Sequence, residues 1–63
     1  MKTKIVTIQE INPLGDGWYE LRVKPSNAED FGFCYEFSEE VPKKGDVITI
    51  TLEGTLVTEV TKS

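Results

Sequence analysis

Carboxylates are the most numerous reactive side chains in this sequence, and two pairs of them are adjacent along the chain. The pairs are Glu29-Asp30 and Glu39-Glu40. Adjacent residues of an extended chain point to opposite faces, so neither pair converges on a substrate as an acid and a base must. The chain has no histidine, which removes the usual general base and the commonest metal ligand. We therefore predict no catalytic residue, no metal site and no cofactor, and hence a protein that is not an enzyme.

Two further short features carry little chemistry. The single cysteine, Cys34, has no histidine or second cysteine near it in the sequence, so we interpret it as a small buried or half-buried apolar residue of a strand. Gly15-Asp16-Gly17 lacks the lysine and the following helix of a phosphate-binding loop. With no disulfide and no apolar run long enough for a signal peptide or a membrane span, we expect a soluble cytoplasmic protein.

The acidic side chains are concentrated in one part of the chain. The net charge is −4, and residues 25–42 contain five acidic side chains and no basic one. Such a local anionic field repels phosphate backbones and attracts a basic surface. This distribution predicts a protein partner with a basic surface.

The single tryptophan lies next to cations on one face of a predicted strand. Trp18, Arg22 and Lys24 share that face by the alternation of an extended chain. Exposed tryptophan with arginine is typical of interaction hot spots, and the same set could stack a base and hold its phosphate. We assign partner contacts to these three residues and, from the acidic stretch, to Glu36. The alternative nucleic-acid surface uses the same three residues together with Lys43 and Lys44.

An aromatic segment is the most distinctive stretch of the chain. Alternation places four rings on one face of a strand: Phe31, Phe33, Tyr35 and Phe37. They either fill the core or form an exposed surface for stacking. We predict that they pack against the apolar face of the preceding strand, because a small domain needs large core side chains. That face consists of Tyr19, Leu21 and Val23.

Within this segment, Phe31-Gly32-Phe33 resembles a strand of the cold-shock domains and of the RNA-recognition motif. In those families exposed aromatic rings stack on bases, and flanking lysine or arginine side chains hold the phosphates. Here Glu29-Asp30 stand where those cations would be. The resemblance implies single-stranded nucleic acid as the alternative ligand.

Five runs of β-branched and aromatic residues, separated by Gly, Pro, Asn and Asp, must position these side chains. The first run, 2–11, has apolar residues on both faces, which predicts a long bent strand with a bulge near Thr7. Residues 12–17 should break it. The second run is 18–24, followed by a loop over 25–30 with one helical turn capped by Ser26 or Asn27. The third run ends at Ser38, and residues 39–46 connect it to a final hairpin.

The final hairpin has a turn that must contain Gly54. A two-residue loop formed by Glu53 and Gly54 would place Ile50 opposite Val57. We favour a three-residue loop, which places Ile50 opposite Leu56 and Ile48 opposite Thr58, because that register buries more apolar surface.

Together these runs predict an all-β domain spanning residues 1–63, a small five-stranded antiparallel barrel of OB-like topology, with an SH3-like barrel as the alternative. We expect a non-enzymatic protein-interaction domain, an accessory or inhibitor protein of a bacterium or its phage. A single-stranded nucleic-acid binder is the second hypothesis. A structural subunit that forms homo-oligomers through an edge strand is the third.

Overall fold

The computed structural model describes residues 1–62, which form five β-strands and no helix. In chain order, β1 is Lys2–Gly15, β2 is Trp18–Pro25, β3 is Phe31–Glu36, β4 is Val47–Glu53 and β5 is Leu56–Lys62. The prediction of an all-β protein with five strands is confirmed. The helical turn expected after Pro25 is wrong, because that segment forms a non-helical turn.

All five strands belong to one antiparallel sheet with the order β3-β2-β1-β4-β5. Since each neighbouring pair is antiparallel, β3 and β5 run in the same direction as β1. They are the two edges of the sheet, and within residues 1–62 they do not pair with each other. The sheet is therefore open, and the predicted closure into a barrel is not confirmed.

The bulge in β1 explains why its apolar residues fall on both faces. The register with β2 shifts between Ile8 and Glu10, so Gln9 is the extra residue, two positions after the predicted bulge near Thr7. The shift returns Ile11 to the face that carries Ile8, where it packs against the core. Ile5 lies before the bulge on the opposite face and is 65% exposed.

The first hairpin extends further than the sequence indicated. β1 continues through Pro13 to Gly15, although this proline was expected to break it. Pairing of β1 with β4 ends at Thr7, so the second half of β1 has one free edge, where proline is tolerated. Asp16 and Gly17 then form a two-residue turn with positive φ at both positions, 54° and 83°, which is the type I′ pattern.

Seven fully or almost fully buried apolar side chains form the core on one face of the sheet: Val6, Ile8, Leu21, Val23, Ile48, Ile50 and Val57. The aromatic side chains of the third run pack against this core, as predicted. They remain half-buried because β3 is an edge strand and no further strand covers their outer side. The predicted burial of Cys34 is wrong: Cys34 is exposed, because it lies on the face of β3 opposite the rings.

Both predicted registers of the β4–β5 hairpin are wrong. The turn is the two-residue segment Gly54-Thr55, flanked by the pair Glu53 and Leu56, and Ile50 faces Val60. Gly54 has φ 65°, as the first central residue of a type II′ turn requires. An irregularity at Thr58 then shifts the register, since Leu52 pairs with Val57 and Thr51 pairs with Glu59.

Candidate functional site

A cleft of about 420 Å³ lies between the ends of the two edge strands. The C-terminal ends of β3 and β5 lie on either side of it, and the β3–β4 connection (residues 37–46) contributes a third side. Its lining is Tyr35, Glu36, Phe37, Ser38, Glu39, Glu40, Pro42, Glu59, Val60, Thr61 and Lys62. We refer to this feature as the edge cleft. Its volume is in the range of ligand-binding pockets.

Aromatic rings form one wall of the edge cleft. The ring centroids of Tyr35 and Phe37 are 5.0 Å apart with planes at 66°, and Phe37 makes a second edge-to-face contact with Tyr19 at 5.8 Å. Such pairs hold each other in a fixed orientation. The Tyr35 and Phe37 rings are half-buried, so each packs on the core with one side and keeps exposed surface.

The β3–β4 connection is fastened to the sheet at both of its ends. The Phe37 N–H donates to the Gly17 carbonyl in the first turn, with a distance of 3.0 Å between nitrogen and oxygen. At the other end, Gly45 N–H donates to the Ile8 carbonyl at 2.8 Å, and Ile8 N–H donates to the Asp46 carbonyl at 2.9 Å. These bonds fix where the connection leaves and rejoins the sheet, and the residues between them contribute Glu39 and Glu40 to the lining of the cleft.

Four carboxylates and one ammonium group line the edge cleft, a net charge of −3. The carboxylates belong to Glu36, Glu39, Glu40 and Glu59, and the ammonium group belongs to Lys62. Within residues 1–62, only Glu40 among these carboxylates forms an ion pair. Carboxylates beside the negative faces of aromatic rings form a setting that attracts cations.

Lys62 carries the positive charge in the lining of this acidic cleft. Its Nζ lies 2.9 Å from Oε1 of Glu40 and 3.7 Å from Oδ2 of Asp46. The hydrogen bond from Lys62, and then its charge, lower the pKa of the Glu40 carboxyl below its ordinary value. The same hydrogen bond and the Glu40 charge raise the pKa of Lys62. The side chains of Lys62 and Glu40 are 44% and 78% exposed, so the pair contributes little to stability.

Replacing Lys62 by methionine is expected to raise the titration midpoint of Glu40 towards its ordinary value, because the cation that lowers its pKa is removed. In the native protein the stabilisation from this pair is present above the unfolded pKa of Glu40. This stabilisation is lost at low pH, as the pH falls through the lowered pKa that Glu40 has in the folded protein. It is also lost at high pH, as the pH rises through the raised pKa of Lys62. Carboxyl NMR titration of the variant measures the midpoint. Lys24→Met removes a distant cation, and an equal shift in that control would contradict the assignment.

The predicted partner-binding residues lie in two places. Trp18, the first residue of β2, is 43% exposed and is the direct cross-strand neighbour of Glu36, so it lies next to the edge cleft without lining it. Arg22 and Lys24 lie further along β2, away from the cleft. The guanidinium of Arg22 is paired with Asp30 at 3.3 Å.

Only three of the five residues assigned to the alternative nucleic-acid surface lie together in the structure. Arg22, Lys24 and Lys44 line one shallow depression of about 460 Å³ on the outer face. Glu10 and Asp30 line the same depression, so its net charge is +1. Lys43 lies in the turn before β4, where its N–H donates to Oδ2 of Asp46 at 2.9 Å. Trp18 lies at the other end of β2.

Sequence reasoning missed the β5 side of the edge cleft. It assigned no role to Glu59, Val60 or Lys62, because nothing in their spacing shows that β5 is an edge strand next to the open side of β3. The signal that was available is the acidic stretch of residues 25–42, which contributes three of the four carboxylates.

Residues 1–62 include no group of three or more His, Cys, Asp or Glu side chains arranged to hold a metal ion. No helix in that part of the chain is long and apolar enough to cross a membrane. Comparison with protein-family models, with curated proteins and with solved structures finds no match to this chain.

Proposed function

We propose that this chain is a protein-interaction module that binds a positively charged segment of a partner protein in the edge cleft. The observation that carries the proposal is the combination of an open sheet edge, half-buried aromatic rings and four carboxylates in one cleft. A module that works by covering a basic surface needs no reactive group. This mode of action is that of a small accessory or inhibitor protein.

The chemistry of the cleft favours an arginine or lysine side chain. A guanidinium or ammonium group over the exposed side of Tyr35 or Phe37 gains a cation–π interaction of about 0.5–1 kcal/mol at such a half-exposed site. Glu36, Glu39 and Glu59 would supply acceptors for its N–H groups. The net charge of the lining also accelerates the approach of a basic partner.

Trp18 would contribute to the same interface from its rim. The indole is 43% exposed beside Glu36, so a partner segment leaving the cleft along β2 would cover it. Tryptophan buries a large area at low entropic cost, which is why it is enriched in binding hot spots.

The strand order supports the OB-like topology over the SH3-like one. Strands β4-β1-β2-β3 have the spatial order 4-1-2-3, with the long connection returning β4 to the side of β1. This is the order of a Greek key, and the OB fold is a partly open Greek-key barrel. An open side between β3 and β5 agrees with that description.

A titration with a short arginine-rich peptide tests the function. We expect backbone NMR shifts confined to Tyr35–Glu40 and Glu59–Lys62, together with a change in Trp18 fluorescence. Affinity should fall as salt rises, because the contacts are charge pairs at a solvent-exposed cleft. The control is a peptide of equal length with each arginine replaced by glutamine. Equal binding of both peptides, or shifts confined to another face, would contradict the proposal.

The second candidate is single-stranded nucleic acid, favoured by the meeting of Arg22, Lys24 and Lys44 in one depression. An oligonucleotide held there would neutralise cations and bind more weakly as salt rises. Titration with an oligothymidylate at low salt separates the two functions. Shifts at these three residues would favour nucleic acid, and their absence would remove it.

A further inference from the structure

We propose that the partner segment binds as an added β-strand along β3, and that its sequence alternates apolar and basic residues. This inference rests on the function proposed above and names the form and the chemistry of the segment that it binds.

The exposed edge of β3 lacks three of the features that normally protect an edge strand, namely proline, lysine and a bulge, and its one charged side chain is Glu36. In an antiparallel pair, alternate residues direct N–H and C=O away from the neighbour, so β3 presents unpaired groups on the side opposite β2. Its register with β2 runs without a shift from Trp18–Glu36 to Val23–Phe31. The strand Phe31–Glu36 contains no proline, no lysine and no bulge.

The other edge strand, β5, also lacks proline but differs in the other two features. β5 has an irregularity at Thr58 and carries Lys62 at its end, and both features discourage pairing with another chain. Of the two edges beside the cleft, β3 is therefore the one built to accept a strand.

The two faces of β3 determine which side chains such a strand would carry. On the core-facing side its neighbours would be Phe33 and Tyr35, whose half-buried rings still expose apolar surface. On the outer side its neighbours would be Gly32, Cys34 and Glu36. Successive side chains of a strand alternate between faces. Apolar residues would then cover the rings, while basic residues would face Glu36 and, across the gap, Glu59.

Charge argues against a second copy of this chain as the added strand. A β3 strand from another copy would bring its own acidic stretch, residues 25–42 with five acidic side chains and no basic one, next to the same stretch of the first copy. Like charges held close together repel each other. A basic segment relieves this repulsion, so the occupant is a partner of opposite charge.

Two peptides of identical composition test the inference on the intact chain. The first is Lys-Val-Lys-Val-Lys-Val and the second is Lys-Lys-Lys-Val-Val-Val, both capped at their ends. The alternating peptide is expected to bind about tenfold more tightly and to protect β3 amides from hydrogen exchange. Methylating one peptide nitrogen that faces β3 should weaken binding about fivefold, because one backbone hydrogen bond is lost. Methylation at the next residue, whose N–H faces away, should have little effect.

The possible results separate this inference from the function on which it rests. If both peptides bind equally and no β3 amide is protected, strand addition is overturned while binding of a basic segment stands. Protection of β5 amides in place of β3 amides would also overturn the assignment. If neither peptide binds and the arginine-rich peptide also fails, the proposed function itself falls.

Discussion

Replacing Ile50 by alanine is expected to bring the free energy of unfolding close to zero. Ile50 is fully buried, faces Val60 across the β4–β5 pair and packs in a core of only seven buried side chains. Truncating a buried isoleucine costs about 2–5 kcal/mol, from lost burial and the cavity left behind. A single core in a domain of this size supplies about 3–5 kcal/mol in total. Urea unfolding followed by circular dichroism measures the loss.

Ile5 provides the matched control, because it undergoes the same chemical change on the opposite face of the sheet. It is 65% exposed and belongs to the strand that pairs with β4. Ile5→Ala should change the free energy of unfolding by less than about 1 kcal/mol, the span of β-propensity effects. Equal destabilisation by the two variants would show that the core does not lie where the structure places it.

Reversing two charges of the edge cleft is expected to weaken binding of the arginine-rich peptide about 30-fold. In Glu36→Lys with Glu59→Lys, each position loses an attraction and gains a repulsion, about 1 kcal/mol per exposed site. Both residues line the cleft and neither has an ion-pair partner within residues 1–62. Isothermal titration calorimetry with the peptide measures the change.

The control for this double variant keeps the same net charge. Glu20→Lys with Glu53→Lys reverses two exposed carboxylates that do not line the cleft. It should reduce the affinity only by the small long-range effect of net charge, which disappears at physiological salt. If the control weakens binding as much as the cleft variant does, overall charge explains the binding and the edge cleft does not.

Much of the fold is predictable from local pattern. The alternation of β2 correctly separates buried Leu21 and Val23 from exposed Arg22 and Lys24. The apolar residues of β1 occur at both odd and even positions, which correctly indicates a bulge; the bulge lies at Gln9. Periodicity shows that an extra residue is present but does not determine which residue is extra, since Thr7 and Gln9 are both polar.

The β4–β5 register could not be predicted because the position of the turn and the irregularity at Thr58 determine it together. The prediction assumed a continuous ladder and chose the register that buries Leu56. In the structure Leu56 is 66% exposed at the turn, and the irregularity at Thr58 brings Val60 opposite Ile50. A bulge moves every later side chain of the strand to the opposite face of the sheet. Choosing the register that pairs the most apolar residues in an unbroken ladder therefore predicts the wrong cross-strand partners.

The candidate site was predictable only on its β3 side. Trp18 and Glu36 were assigned to the partner surface, and they are direct neighbours across β2 and β3. The participation of Glu59 and Lys62 depends on the order of strands in the sheet, which is set by long-range packing. The four cations that were assigned together with Trp18 do not line the edge cleft; they are Arg22, Lys24, Lys43 and Lys44. Their proximity along the chain does not determine their positions in the sheet.

The fastening of the β3–β4 connection at both ends has a consequence for how such a domain could diversify. Hydrogen bonds to Gly17 and Ile8 fix where the connection leaves and rejoins the sheet, independently of how many residues lie between. Doubling a loop costs only about 0.6 kcal/mol in closure entropy. Insertions within 38–42 would therefore remodel the rim of the edge cleft while the scaffold keeps its stability, and under the proposed function they would alter which basic segments bind.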